Sequence, residues 1–145
     1  MGSLNGVQAG LRNLRRTRPL ETMRIETAPG AVVTAPTPEE MLRVNAYLIV
    51  QRNAVRDSLD VVALADHVGV DQAGLILREI DDYYDRSQQH GSVRTSLALA
   101  LVDPSPHDVD VIADLPGYRG LDPRWHDWGA VTSACTSLAL EVAQG

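Results

Sequence analysis

The densest group of chemistry-bearing residues is Arg52-Asn53-Ala54-Val55-Arg56-Asp57-Ser58-Leu59-Asp60. Arg52 and Arg56 stand four apart, and Asp57 and Asp60 three apart, the spacings that put side chains on one face of a helix. A helix starting near Ala54 would carry both acids in its first turns, where the helix dipole keeps carboxylates ionised. Guanidiniums beside them suit phosphate or carboxylate. Acids and arginines set against an apolar helix must also be paired, so the same residues fit an ion-paired junction that fixes two helices. Charge pattern alone favours the junction.

Other stretches offer less. Trp125-His126-Asp127-Trp128 puts an imidazole next to a carboxylate, but adjacent residues do not face each other on a helix. A packing anchor at a helix start accounts for it better, given how aromatics bury. Asp81, Asp82 and Asp85, with Tyr83 and Tyr84, lack the ligand geometry of a calcium loop and fit a solvated acidic helix end. Cys135 lies among small apolar residues and fits an inert buried thiol. Gly-rich phosphate loops are absent.

The elements that would position these residues are mostly helices. Met23 to Thr27 and Ala31 to Thr34 flank the turn signal Ala28-Pro29-Gly30 and predict a hairpin or two edge strands. Such a pair needs a sheet or helices to pack on. Thr37-Pro38-Glu39-Glu40 is a helix start: Thr37 caps, Pro38 suits the first helical position and Glu40 completes a capping box. The helix through Gln51 is apolar almost all round, hence buried. A second helix is predicted from Ala54 to His67, with Gly69 as its stop, and a third from Asp71 to about Arg86. A fourth covers Val93 to Val102 and ends at Pro104. A short helix is read between His107 and Leu115, and a last one from Asp127 to Val142. The fold class is α+β, predominantly α: two short N-terminal strands, then a bundle of about five helices. Residues 1–20 read as a separate basic segment, a solvated tail with Arg12, Arg15, Arg16 and Arg18, and residues 21–145 as the helical domain.

Composition bounds the possibilities. The chain has 145 residues, enough for one core. No apolar run approaches the roughly 20 residues that span a bilayer, and the start lacks a secretory h-region. No membrane partner and a cytoplasmic location are expected. A net charge of −6 argues against a general nucleic-acid coat protein. All 13 cations are arginine, so no lysine chemistry is available.

The stretch from Thr37 to Leu64 resembles the late motif region of the AbiEii-like toxins, abortive-infection nucleotidyltransferases of the DNA polymerase β superfamily. Glu39-Glu40, Ala46, Arg52 and Arg56-Asp57-Ser58-Leu59-Asp60 fill the family's places. The resemblance implies a transferase with Asp57 and Asp60 as catalytic residues and Arg52 and Arg56 contacting the substrate phosphates. The family lysine would fall at Asn45, which cannot neutralise a triphosphate. The metal-binding half is missing, and Asp108-Val-Asp110, with the right letters, comes too late in the chain and is read as accidental. Phosphoryl-type transfer rests on metal-bridged charge neutralisation. The resemblance therefore implies a truncated toxin domain, inactive alone and needing no cofactor by itself. Completed by its missing N-terminal half, it would use Mg²⁺ and a nucleoside triphosphate. The alternative is a non-catalytic module that binds a cognate antitoxin, a tRNA or another RNA.

Overall fold

The computed structural model describes residues 2–4, 7–9, 15–84 and 91–145. Four strands come first: β1 (Gly2–Leu4), β2 (Val7–Ala9), β3 (Thr22–Ala28) and β4 (Ala31–Pro36). They form two separate antiparallel ribbons, β1 with β2 and β3 with β4. The expected hairpin is thus β3–β4, and a further small ribbon lies in the segment before it. Arg12 lies outside the described residues.

Five α-helices follow: α1 (Pro38–Gln51), α2 (Val55–Val68), α3 (Val70–Arg78), α4 (Val93–Val102) and α5 (Trp128–Ala143). Short 3-10 turns cover Ile80–Asp82, Val109–Gly117 and Pro123–His126. The fold is α+β and mostly helical. In α1 only Met41 and Gln51 are exposed, as its all-round apolar sequence requires. α5 packs on α4, α3 and α2, while α1 packs on α2, α4 and α3. Leu42, Val55, Leu77, Leu97, Val131 and Leu138 meet in the shared core.

The third helix differs from its sequence pattern at both ends. It begins at Val70, directly after Gly69, whose φ of 94° lets the chain turn from α2 into α3 with no linker. It stops at Arg78 instead of near Arg86. Past that point Ile80, Tyr83 and Tyr84 are all buried, and the tighter turn brings Asp81 to the start of α4. There its carboxylate accepts from Ser92 Oγ at 2.5 Å and from Arg94 N at 3.2 Å. Asp81 therefore ties two helices together, where a solvated acidic end was expected. Asp85 lies outside the described residues.

At Gly74, α3 packs tightly against α5. A Cβ at this position would lie 2.4 Å from Glu141 Cβ and 3.3 Å from the Glu141 backbone. Backbone cannot yield as a flexible side-chain end can, so Gly74→Ala is expected to push the two helices apart. Overpacking of this kind costs about 1–3 kcal/mol. Urea unfolding followed by circular dichroism checks it, and a variant as stable as wild type would show that α3 does not sit this close to α5.

Candidate functional site

Two charged groups occupy the α1–α2 corner. Asn53 ends α1 with a φ of 55°, a left-handed conformation that asparagine tolerates better than most residues. This turn brings Arg52 back over the first turn of α2. Arg52 Nε donates to Asp57 Oδ2 at 3.1 Å, and Arg52 Nη2 donates to Asp57 Oδ1. Asp57 is fully buried, and its Oδ2 also accepts from Ala54 N at 2.9 Å. The carboxylate is thus a helix cap and an ion-pair partner at once. Its hydrogen bonds raise the Arg52 pKa further above its ordinary value.

A loop clamps the corner from outside. Asn53 Nδ2 donates to Ser105 O at 2.7 Å, and His107 N donates to Asn53 O at 3.0 Å. Val55 N donates to Asp108 Oδ1 at 2.8 Å. Asp108 therefore caps α2, which gives the first acid of Asp108-Val-Asp110 a structural role.

The other candidate residues sit elsewhere. Arg56 Nε lies 3.6 Å from Asp60 Oδ2, an exposed arginine and a half-buried acid one helical turn apart. Both line a shallow depression of about 370 Å³ with Met41, Asn45 and Leu64. Asn45 Nδ2 donates to its own helix at Met41 O, 2.8 Å away. The structure splits the candidates into a closed Arg52–Asp57 pair and an open Asn45, Arg56 and Asp60 face. Partial burial raises the Asp60 pKa, and Arg56 only partly offsets it.

A carboxyl with a raised folded-state pKa binds its proton more tightly in the fold than when unfolded. Ionising it therefore lowers stability as pH rises through the window above the ordinary value of 3.8. Asp60→Asn is expected to raise the urea midpoint slightly at pH 7 and to leave it unchanged at pH 3. A lower midpoint at pH 7 would mean that the Arg56 pair outweighs the burial.

A larger charged cluster links the N-terminal segment to the bundle. Glu40, in the first turn of α1, is fully buried. Its Oε1 lies 2.7 Å from Arg16 Nη2, and its Oε2 lies 3.7 Å from Arg43 Nη1 and accepts from Glu21 N at 3.0 Å. Thr37 caps the helix as its sequence suggests, with Oγ1 accepting from Glu40 N at 3.2 Å. Thr37 N, however, donates to Glu21 O at 3.1 Å. The capping box is thus not closed by Glu40, whose carboxylate holds Arg16 and Arg43 instead.

Glu21 completes the cluster by accepting from Arg43 Nη1 and from the Tyr83 hydroxyl, each at 3.0 Å. The Arg43 hydrogen bond holds its carboxyl below the usual range. Arg16 also donates to the Tyr84 hydroxyl at 3.1 Å, and the Tyr84 ring stacks on Tyr47 with centroids 3.9 Å apart. Burial pushes the Tyr84 hydroxyl up to about 12, so it stays neutral as it accepts from Arg16. Arg16, read from sequence as part of a solvated tail, is a half-buried anchor. Glu40 and Arg43, three apart on an otherwise apolar helix, were the signal for it: buried charge needs a partner.

The remaining features are apolar. α4 and α5 leave a groove of about 500 Å³ between them, with Ala98, Ala139 and Ala143 in its lining. Leu99, Val102 and Leu140 on it are 69%, 56% and 62% exposed. Cys135 is buried in α5, where desolvation pushes its thiol up to about 12. Trp125 is buried, and Asp127 caps α5 through Gly129 N at 3.1 Å. Among the described residues no three metal-ligating side chains gather, and no helix is long and apolar enough to cross a membrane.

Comparison with known proteins points away from nucleotidyl transfer. The chain is 33% identical over 135 residues to the mycolic acid-containing lipids exporter MmpL11 of Mycolicibacterium smegmatis, covering 90% of this chain and 13% of the exporter. It is 31% identical over 134 residues to the probable transport protein MmpL11 of Mycobacterium leprae, covering 91% of this chain and 13% of that protein. The heme uptake protein MmpL11 of Mycobacterium tuberculosis H37Rv is 29% identical over 131 residues, again 90% of this chain and 13% of the relative. The chain thus spans about an eighth of the length of the curated relatives it matches. No protein-family model and no solved structure matches it.

These similarities overturn the toxin resemblance and, with it, the truncated abortive-infection transferase. The expected cytoplasmic location falls too, because the relatives are named as transport proteins. The physical reason for the error is in the α1–α2 corner. An acid three residues into a helix and an arginine ending the helix before it are what a capped, ion-paired corner selects. Asp57 is explained by that corner without any catalysis, and Arg56 and Asp60 by an i, i+4 pair on the outer face of α2. Mg²⁺ and a nucleoside triphosphate came with the resemblance and have no other support. The alternative of a module binding an antitoxin or RNA gains no specific support either.

Proposed function

We propose that this chain is a folded, non-catalytic module of an MmpL11-like transport protein, seated outside the bilayer against the rest of the transporter. The observation that carries this is coverage: about 90% of the chain aligns with a stretch amounting to 13% of each relative. The helices share one core, in which Leu42, Val55, Leu97 and Leu138 meet, and a core of its own is what one structural unit needs. The most deeply buried carboxylates, Asp57 and Glu40, hold elements of the fold together, which leaves them unavailable to a substrate. Lipid or heme transport, named for the relatives, would belong to the whole transporter, with this module supporting it.

The α4–α5 groove is the surface through which the module seats. Exposed leucines and a valine grouped on adjacent helices are the pattern of a protein contact. The test is co-purification of the tagged chain with the M. smegmatis exporter from which the aligned stretch has been deleted. Retention of the wild-type chain, and its loss in Leu99→Asp/Leu140→Asp, is the expected result. Equal recovery of both chains, or of neither, would contradict the seating.

A further inference from the structure

Among the described residues, the β3–β4 ribbon is hydrogen-bonded along one edge of each strand and open along the other. Two strands alone are marginally stable, and an open edge is a template for another strand. The pairs Met23↔Ala35 and Ile25↔Val33 put these four side chains on one face, while Arg24↔Thr34 and Glu26↔Val32 occupy the other. Met23, Ile25 and Val33 are 41%, 39% and 47% exposed, so the apolar face is largely uncovered. Arg24 and Glu26 are also exposed, and among the described residues Arg24 has no partner within the chain. The Glu26 side chain accepts from Gly30 N at 3.4 Å.

We propose that a second copy of this chain pairs with the open edge of β3, antiparallel, about a two-fold axis through Ile25. In that register Ile25 faces Ile25 of the second copy, and Arg24 faces Glu26 of the second copy on both sides of the axis. Arg24-Ile25-Glu26 complements itself only in this orientation. Parallel, in-register pairing would set arginine against arginine. The irregularity between Glu26 and Ala28 lies outside the three central pairs. Two ribbons become one four-stranded sheet, with Met23, Ile25, Val33 and Ala35 of each copy forming a continuous apolar face. Such an interface is isologous and closed. It does not depend on the transport-protein reading.

Sedimentation equilibrium of the 145-residue chain and its charge variants tests the pairing. Wild type is expected to self-associate. Arg24→Glu alone and Glu26→Arg alone should each raise the dissociation constant roughly tenfold, since both symmetric attractions become repulsions. Mixing the two single variants in equal amounts should restore association between them, and Arg24→Glu/Glu26→Arg should behave as wild type. Far-UV circular dichroism shows whether each variant is folded. A folded wild type that stays monomeric would overturn the proposal and leave the edge to an unrelated strand or a lipid surface. A dimer indifferent to both single variants would overturn it too, placing the interface elsewhere.

Discussion

Glu40→Ala is expected to lower the unfolding free energy by about 3–5 kcal/mol, the cost of breaking a buried ion pair by removing one partner. The fully buried carboxylate is held by Arg16 at 2.7 Å, Arg43 at 3.7 Å and Glu21 N at 3.0 Å. Without it, two guanidiniums that are 11% and 7% exposed lose a counter-charge. A domain of this size has about 5–15 kcal/mol in hand, so the variant should unfold at a much lower urea concentration. The N-terminal segment should loosen first, because Arg16 is its anchor. Arg16→Met/Glu40→Leu should lose much less, since apolar groups of similar volume often replace a buried pair at little cost. A double variant as unstable as Glu40→Ala would mean that packing, not unpaired charge, sets the penalty.

Asp57→Ala is the second large effect, and it decides what the sequence motif is for. The side chain accepts two hydrogen bonds from Arg52 and one from Ala54 N. Its loss removes a helix cap, typically about 1 kcal/mol, and a buried ion pair. Arg52 is 37% exposed and can hydrate when released, so the total should be nearer 2–4 kcal/mol than the full penalty of a closed pair. Asp57→Asn should recover part of this by keeping an acceptor for Ala54 N. Chemical denaturation of the three proteins gives the ranking. Asp57→Ala as stable as wild type would return the residue to the surface and reopen a functional role for it.

Local signals in the sequence were legible where one residue acts within its own element. Thr37 and Pro38 start α1, Gly69 ends α2, and Asp127 caps α5. The boundaries of α4 were likewise visible, because Pro104 stands just past its end and a polar stretch precedes it. Long-range pairings were not. Nothing local says that Glu40 leaves its own cap for Arg16, or that Asp81 reaches across to α4. The end of α3 was missed for the same reason: Tyr83 and Tyr84 continue a helical spacing, and only their packing against Tyr47 and the Glu21 carboxylate shows that the chain turns there. The Arg52–Asp57 pairing is visible as a junction, but the sequence alone does not show that Arg56 and Asp60 pair separately on the outer face of α2, so all four read as one constellation.

The most direct measurement is lipid export by the M. smegmatis MmpL11 exporter whose aligned stretch has been exchanged for this chain. Export close to that of the intact exporter, with loss on simple deletion of the stretch, is the predicted result. A chimera that accumulates to normal levels in the membrane yet exports no better than the deletion would contradict the assignment of this chain as a module of such a transporter.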